Sequence, residues 1–252
     1  MDLGLKGKKV ILTGGSRGIG RAALEIFAAE GCDVAFFSRN PAQVEEAVAA
    51  LKKHGGKVHG STFDMNDMSG YAAWLTGAAD KLGGCDIFVP GASSSGSQAT
   101  GDWNKSFNFD LLGTVQGCEA LYPYLKKSGA GSVVIMSSTA AVETFLVPQA
   151  FNAIKSALLT YAKQLSQAWG AKGIRVNSVS PGPISFPTGN WEAIKGAMPD
   201  LYEATLKQFA LGRFGAPDDV ARTIVFLASP ASAYTTGTNV VIDGGYTKRV
   251  QF

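Results

Sequence analysis

The chain has 252 residues, 46% hydrophobic and 17% charged, which fits one large α/β domain and excludes a disordered chain. Its formal net charge of +3 comes from scattered lysines and arginines and offers no basic patch for nucleic acid. Residues 9–13 read as the first strand. Thr13-Gly14-Gly15-Ser16-Arg17-Gly18-Ile19-Gly20 follows and opens onto residues 21–29, which read as a helix. Strand, glycine-rich turn, helix is a layout that binds a dinucleotide pyrophosphate. The glycines let backbone approach the phosphates, and the helix N-terminus supplies free N–H groups and positive partial charge. An ordinary tight turn is the plain alternative.

Further strands are expected at 33–38, 57–63, 86–89, 132–137, 175–180 and 239–243. Helices are expected between them at 41–54, 68–82, 100–126, 148–170 and 218–227. Asn40 before Pro41 reads as an N-cap with proline at the first helical position. Strands alternating with helices imply right-handed βαβ units. The expected fold is a single Rossmann-type domain, a doubly wound parallel sheet of about seven strands with helices on both faces. Residues 181–212 break the rhythm and carry Phe186, Trp191, Met198, Leu201 and Tyr202. Ligands of open α/β sheets lie beyond the carboxyl ends of the strands. This insertion therefore reads as a substrate lid, about 183–212, or as a surface helix pair or oligomer contact.

The three cysteines, Cys32, Cys85 and Cys118, are widely spaced and form no metal-ligand pattern or disulfide framework. Cys32 and Cys85 read as small core residues. His54 and His59 flank a Gly-Gly turn and read as surface residues, so no metal site is expected. No secretory pattern precedes the first strand and no stretch approaches a membrane span, which makes the cytoplasm the expected setting.

The glycine run has the form TGxxxGxG and resembles the short-chain dehydrogenase/reductase family. The likeness extends over nearly the whole chain. Asp64, behind the third strand, resembles the family's adenine-contacting aspartate. Ser137-Ser138 ends the fifth strand, and Lys155 follows at the family's distance. Arg175-Val176-Asn177-Ser178-Val179-Ser180-Pro181-Gly182 is similar to the sixth strand and its Pro-Gly turn, and Asp243-Gly244-Gly245 to the end of the last strand. The subgroup most like it includes 3-oxoacyl-carrier-protein reductases and many alcohol dehydrogenases. The resemblance implies that Gly14, Ser16, Arg17, Gly18, Ile19 and Gly20 cradle the cofactor. It implies that Asp64, Met65, Gly91, Lys155, Pro181 and Ile184 also contact it. It implies a homotetramer or homodimer packed through residues 100–126 and 148–170, where Leu111, Leu112, Leu121 and Leu158 offer apolar surface. Some of these leucines must face the sheet. The expected partner is a small-molecule substrate, without nucleic acid or membrane.

Cofactor choice is legible in charge. An NAD-selective site often places an acid at the end of the second strand, where it accepts from the ribose 2′-OH. Here that strand ends Phe36-Phe37-Ser38-Arg39, without an acid. Arg39 and Arg17 can reach a 2′-phosphate through charge-assisted hydrogen bonds. NADP(H) is expected, with NAD(H) and two surface arginines as the alternative.

In the family a tyrosine is the general acid or base and a serine holds the substrate oxygen. A lysine binds the nicotinamide ribose, and an asparagine in the preceding long helix completes a proton relay. By spacing the serine maps to Ser138 and the lysine to Lys155. The tyrosine position falls on Phe151, which has the ring but no hydroxyl and cannot exchange a proton. The asparagine position is Asp110, whose carboxylate either pairs with Lys155 or serves the helix structurally. The family's Asn-Asn-Ala-Gly after the fourth strand reads Pro90-Gly91-Ala92-Ser93. Tyr161 lies about 15 Å further along the helix, at 1.5 Å per residue, and cannot stand in. Phe151 fits either a single Tyr→Phe replacement or natural divergence. One replacement does not explain Asp110 or Pro90.

The leading expectation is an NADP(H)-dependent oxidoreductase interconverting a carbonyl and an alcohol, impaired by Phe151. Phe145, Val147, Phe186, Trp191 and Met198 suggest a hydrophobic or aromatic substrate. The alternatives are a non-redox isomerase or lyase using Ser138, Lys155 and Asp110, and an NADP(H)-binding regulatory protein.

Overall fold

Seven strands pair in parallel in the order β3-β2-β1-β4-β5-β6-β7. They are β1 (Lys9–Thr13), β2 (Asp33–Ser38), β3 (Val58–Thr62), β4 (Ile87–Pro90), β5 (Gly131–Met136), β6 (Ile174–Pro181) and β7 (Asn239–Ile242). The computed structural model describes residues 1–97, 100–144 and 148–250. Side chains alternate across a strand, so each strand feeds two cores. Val10 and Leu12 of β1, with Val34 and Phe36 of β2, enter one buried cluster. Ile11, Ala35 and Phe37 enter the other. The first cluster is closed by α1 (Gly18–Ala29), α2 (Pro41–Leu51) and α9 (Pro217–Ala228), through Leu24, Phe27, Val44, Val220 and Ile224. The second is closed by α3 (Tyr71–Leu82), α5 (Gly113–Lys127) and α6 (Ala150–Gly170), through Leu75, Leu121 and Leu158. Each such side chain contributes about 1.5–3 kcal/mol on burial. The expected three-layer fold is the one observed.

The differences from expectation have local causes. The helix expected at 100–126 starts at α4 (Trp103–Lys105), where the Asp102 carboxylate accepts from the Lys105 N–H at 3.0 Å. It then widens into a π-helical stretch, Ser106–Leu112, before α5. The helix expected from residue 148 begins at Ala150. The stretches 52–54 and 68–70 wind as tighter 3₁₀ turns. Leu121 and Leu158 are fully buried under the sheet, which leaves Leu111 and Leu112 as the half-exposed members of the proposed interface set. Cys32, Cys85 and Cys118 are all buried thiols, and burial raises the Cys32 pKa to about 12. His54 is exposed, whereas His59 is half-buried against Trp74, and desolvation and Lys81 lower its pKa.

The insertion forms α7 (Asn190–Ala197) and α8 (Pro199–Leu206). Trp191, Phe209 and Phe214 make a small core of their own, with Tyr202 stacked on Phe214 at 4.4 Å. No described helix is long and apolar enough to cross a membrane.

One cation holds the far edge together. The Arg175 guanidinium, on β6, donates to the carbonyls of Leu227 (2.8 Å), Ala228 (3.2 Å), Ser229 (3.0 Å) and Thr235 (3.0 Å). The first three belong to the end of α9, where carbonyls lack helical partners and a positive charge is favoured. Burial lowers its pKa. We expect Arg175→Met to destabilise the protein by at least about 2 kcal/mol, because several carbonyls lose their donor at once. A lower urea midpoint at unchanged slope checks this, and Arg175→Lys should recover only part of the loss.

Candidate active site

The turn after β1 is fixed by its own first residue. Thr13 Oγ1 accepts from the Gly91 and Ala92 N–H groups at 3.0 and 3.1 Å, which ties β1 to the segment after β4. The Pro90–Ser93 segment is thus held by a buried hydroxyl. Gly14 and Gly15 both donate to the Phe37 carbonyl at the end of β2. Gly20 sits so close to the Gly14 carbonyl that a Cβ would lie 2.4 Å from its oxygen. Only glycine allows the start of α1 to press onto the turn in this way.

A cavity of about 430 Å³ runs along this turn. At one end stand Ser38 and Arg39. Ser16 Oγ lies 2.7 Å from Ser38 Oγ and 3.2 Å from Gln43 Oε1. Arg39 is exposed, lines the cavity, and makes no hydrogen bond or ion pair with a described residue. Gly14, Arg17, Gly18, Ile19 and Gly20 form the middle, with Met65 and Gly91 in the walls. Pro181 and Ile184 border the far half. Asp64 lies outside the walls. Its carboxylate is exposed and accepts from the Asn66 backbone and side chain at 3.0 and 2.9 Å, while Phe63 and Met65 on either side face the cavity.

Arg17 has a different engagement from Arg39. Its Nη1 donates to the Thr188 carbonyl at 3.0 Å. Thr188 has φ 66°, the only positive φ at a non-glycine described residue. Such a backbone is strained by roughly 1–3 kcal/mol and needs support from its surroundings. The Phe186 ring beside it packs on Gly18, where a Cβ would lie 2.8 Å from Cζ. Arg17 and Phe186 therefore fasten the insertion onto the start of α1.

The other end of the cavity holds Ser138, Phe151 and Lys155. Ser138 Oγ accepts from the Ala140 N–H at 3.1 Å, which leaves its hydroxyl proton for a ligand oxygen. Ser137 Oγ donates to the Lys155 carbonyl at 2.9 Å and joins β5 to α6. Lys155 is 4% exposed; Nζ donates to the Met136 carbonyl at 2.7 Å and lies 2.9 Å from Asp110 Oδ1. It stands 5.4 Å from the centre of the Phe151 ring. Asp110 is 1% exposed, behind the cavity wall. Its Oδ2 accepts from the Ser94 N–H at 3.0 Å. Of the two readings of Asp110, the pairing with Lys155 is the one observed.

Sequence reasoning missed several parts. Asn190 donates to the Ser95 carbonyl at 3.1 Å and ties α7 to the loop after β4. Ser95, Thr100, Gln149, Asn152 and Asn190 give the cavity a polar side. No spacing marks them, since they converge from two separate loops, α6 and α7. Phe186 and Trp191 line the cavity as expected. Met198 does not; it is 49% exposed. Phe145 and Val147 lie outside the described residues.

Comparison with known proteins agrees with this geometry. A family model described as enoyl-(acyl carrier protein) reductase matches residues 14–247. Isoepoxydon dehydrogenase of Penicillium expansum is 35% identical over 100% of this chain and 99% of its own. D-threitol dehydrogenase of Mycolicibacterium smegmatis is 32% identical over 98% and 95%. L-sorbose reductase from Gluconobacter frateurii, solved with NADPH and L-sorbose, superposes with a TM-score of 0.90 at 29% identity over 99% and 100% of the two chains. The chain belongs to the short-chain dehydrogenase/reductase family. It is an oxidoreductase of the carbonyl/alcohol type.

The cavity fits the nicotinamide dinucleotide that this family uses. It has a cation without a carboxylate partner at one end, a glycine turn at a helix N-terminus in the middle, and a buried lysine at the other end. The Thr13 hydroxyl holds the Gly91–Ala92 stretch of the cavity wall. Thr13→Val keeps the shape and removes the acceptor, leaving two N–H groups without a partner. We expect a loss of about 1–3 kcal/mol in stability and weaker dinucleotide binding, with Thr13→Ser close to the parent; thermal melts and fluorescence titration check this.

Proposed function

We propose that this chain is an NADP(H)-dependent carbonyl reductase or alcohol dehydrogenase whose turnover is held down by Phe151. The observation that carries this reading is the arrangement of charge along one cavity. Arg39 stands free of carboxylates at the end of β2, and Ser138 and Lys155 stand at the far end with a bare aromatic ring beside them. Arg39 and Ser38 would hold the 2′-phosphate, the N–H groups at Gly18 to Gly20 the pyrophosphate, and Lys155 the nicotinamide ribose. Ser138 would hold the substrate oxygen. When bound, the dinucleotide supplies or accepts a hydride. The NADPH in the L-sorbose reductase structure supports the phosphate-bearing form.

The substrate side has one aromatic wall, Phe186 and Trp191, and one of hydroxyls and amides. This suits a small carbonyl or alcohol that carries further hydroxyl groups on one face. L-Sorbose and D-threitol, named for two similar proteins, are of that kind. A homotetramer or homodimer through the helices at 103–127 and 150–170 fits the half-exposed Leu111 and Leu112 and the exposed Trp103 and Phe107.

NADPH should bind at least about tenfold tighter than NADH, since a charge-assisted hydrogen bond to the 2′-phosphate contributes about 1.5–3 kcal/mol. Nicotinamide fluorescence titration measures this. Arg39→Asp should reverse the preference, and Arg17→Ala should cost less than Arg39→Ala because Arg17 is engaged with Thr188. Equal affinities for the two cofactors would exclude the phosphate reading.

Phe151→Tyr should raise kcat by about 10²-fold or more, the usual contribution of a positioned acid, with little change in NADPH affinity. No gain in hydride transfer would favour the non-redox and binding readings.

A further inference from the structure

We propose that Lys155, backed by Asp110, is the proton donor for the carbonyl reduction this chain performs, in place of the hydroxyl that Phe151 lacks. The proposal rests on the oxidoreductase reading above. Near Ser138 the Phe151 ring offers no exchangeable proton. The Ser138 hydroxyl has one proton, and among the described residues its oxygen pairs with the Ala140 N–H alone, with no acid or base behind it. The ammonium of Lys155 is the one cationic donor that lines this end of the cavity among the described residues.

Its surroundings are built to keep a charge there. A buried ammonium without a counter-charge is strongly disfavoured. Asp110 is the carboxylate that faces it, and the other contacts are neutral: the Met136 carbonyl and the Phe151 ring. Asp110 Oδ1 accepts no aligned hydrogen bond, so its contact with Nζ at 2.9 Å is the whole of its compensation. The carboxylate is held from behind. Ser94 N–H binds Oδ2, Ser106 Oγ lies 3.1 Å from Ser94 Oγ, and Thr114 Oγ1 donates to the Asp110 carbonyl at 2.7 Å. The π-helical stretch presents Asp110 at this point, and such widened turns recur at functional sites. An ammonium has three N–H bonds. The Met136 carbonyl takes one and none is aligned on Asp110, so N–H bonds remain for the ribose and for a substrate oxygen at the cavity wall.

The step balances. A hydride passes from the reduced nicotinamide to the carbonyl carbon, and the carbonyl π pair moves to oxygen. The oxygen takes a proton from Nζ as it gains the pair. Lys155 is left as a neutral amine, and water at the cavity mouth returns the proton. The pair starts neutral and ends with one buried negative charge, which keeps the step slower than proton donation by a phenol. Asp110 is a positioning residue here, and Lys155 the catalytic one.

A double-mutant cycle on the full chain tests this, with NADPH and a panel of ketoses and aromatic diketones as probes. Asp110→Asn should lower kcat at least tenfold in the Phe151 background and by less than threefold in the Phe151→Tyr background. NADPH affinity, read by fluorescence without substrate, should stay within threefold in both. An equal loss in the two backgrounds would make Asp110 purely structural and overturn the proposal. Turnover by Phe151→Tyr but none by the parent would also overturn it, while leaving the oxidoreductase reading intact. Failure of both proteins to transfer hydride would remove that reading itself. Should Asp110→Asn fail to melt cooperatively, Lys155→Arg decides. It keeps the cation but cannot release a proton, so kcat should fall at least tenfold while NADPH still binds. An unchanged kcat would overturn the proposal.

Discussion

Strand order reverses at β1, with β2 on one side and β4 on the other, and the functional groups lie along the cleft that this reversal opens. The cause is connectivity. Right-handed crossovers carry the helix after β1 to one face of the sheet and the helix after β4 to the other, so the two connections diverge above the strand ends. A cleft made this way tends to splay unless its two sides are tied. Thr13 Oγ1 supplies the tie by accepting from both N–H groups that follow Pro90. The proline has no N–H of its own, so the N–H groups that the hydroxyl takes are those of the two residues after it.

The insertion is held to this frame by contacts that span most of the chain. Arg17 reaches Thr188 across 171 positions, and Asn190 reaches Ser95 across 95. The strained Thr188 backbone and the Phe186 ring on Gly18 belong to the same fastening. An arginine that looks free in the sequence is thereby committed to the fold, whereas Arg39 at the end of β2 makes no such contact with a described residue. The insertion and the glycine turn are thus fastened to each other. Any ligand that moves Phe186 must also act on the start of α1.

What the sequence made legible follows the range of the interactions. The short continuous apolar runs in Lys9–Thr13 and Asp33–Ser38 mark strands buried on both faces, because such a run is a local signal. The glycine turn is legible for the same reason. The start of the long helix was misplaced because the Asp102 cap sets it at Trp103 and the stretch Ser106–Leu112 departs from the helical period. Ser138, Lys155 and Asp110 could be placed through spacing and resemblance. Ser94, which steadies Asp110, and Asn190 could not, since nothing near them in the chain announces a partner. Asp64 shows the opposite limit, for its carboxylate turns to Asn66 and away from the cavity.

The buried pair links the residues at 110 and 151 through one lysine. A neutral amide at 110 would leave the Lys155 charge facing one carbonyl and an aromatic face. Breaking a buried pair by removing one partner costs about 3–5 kcal/mol, more than the 2 kcal/mol or so a desolvated ring can return to a cation. With a phenylalanine at 151 there is no hydroxyl to share the ammonium's hydrogen bonds, so the carboxylate becomes the main source of compensation. The ring still contributes, at 5.4 Å from Nζ. Loss of the hydroxyl and gain of the carboxylate are therefore coupled by the electrostatics of one lysine. Substitutions at these two positions should not be additive.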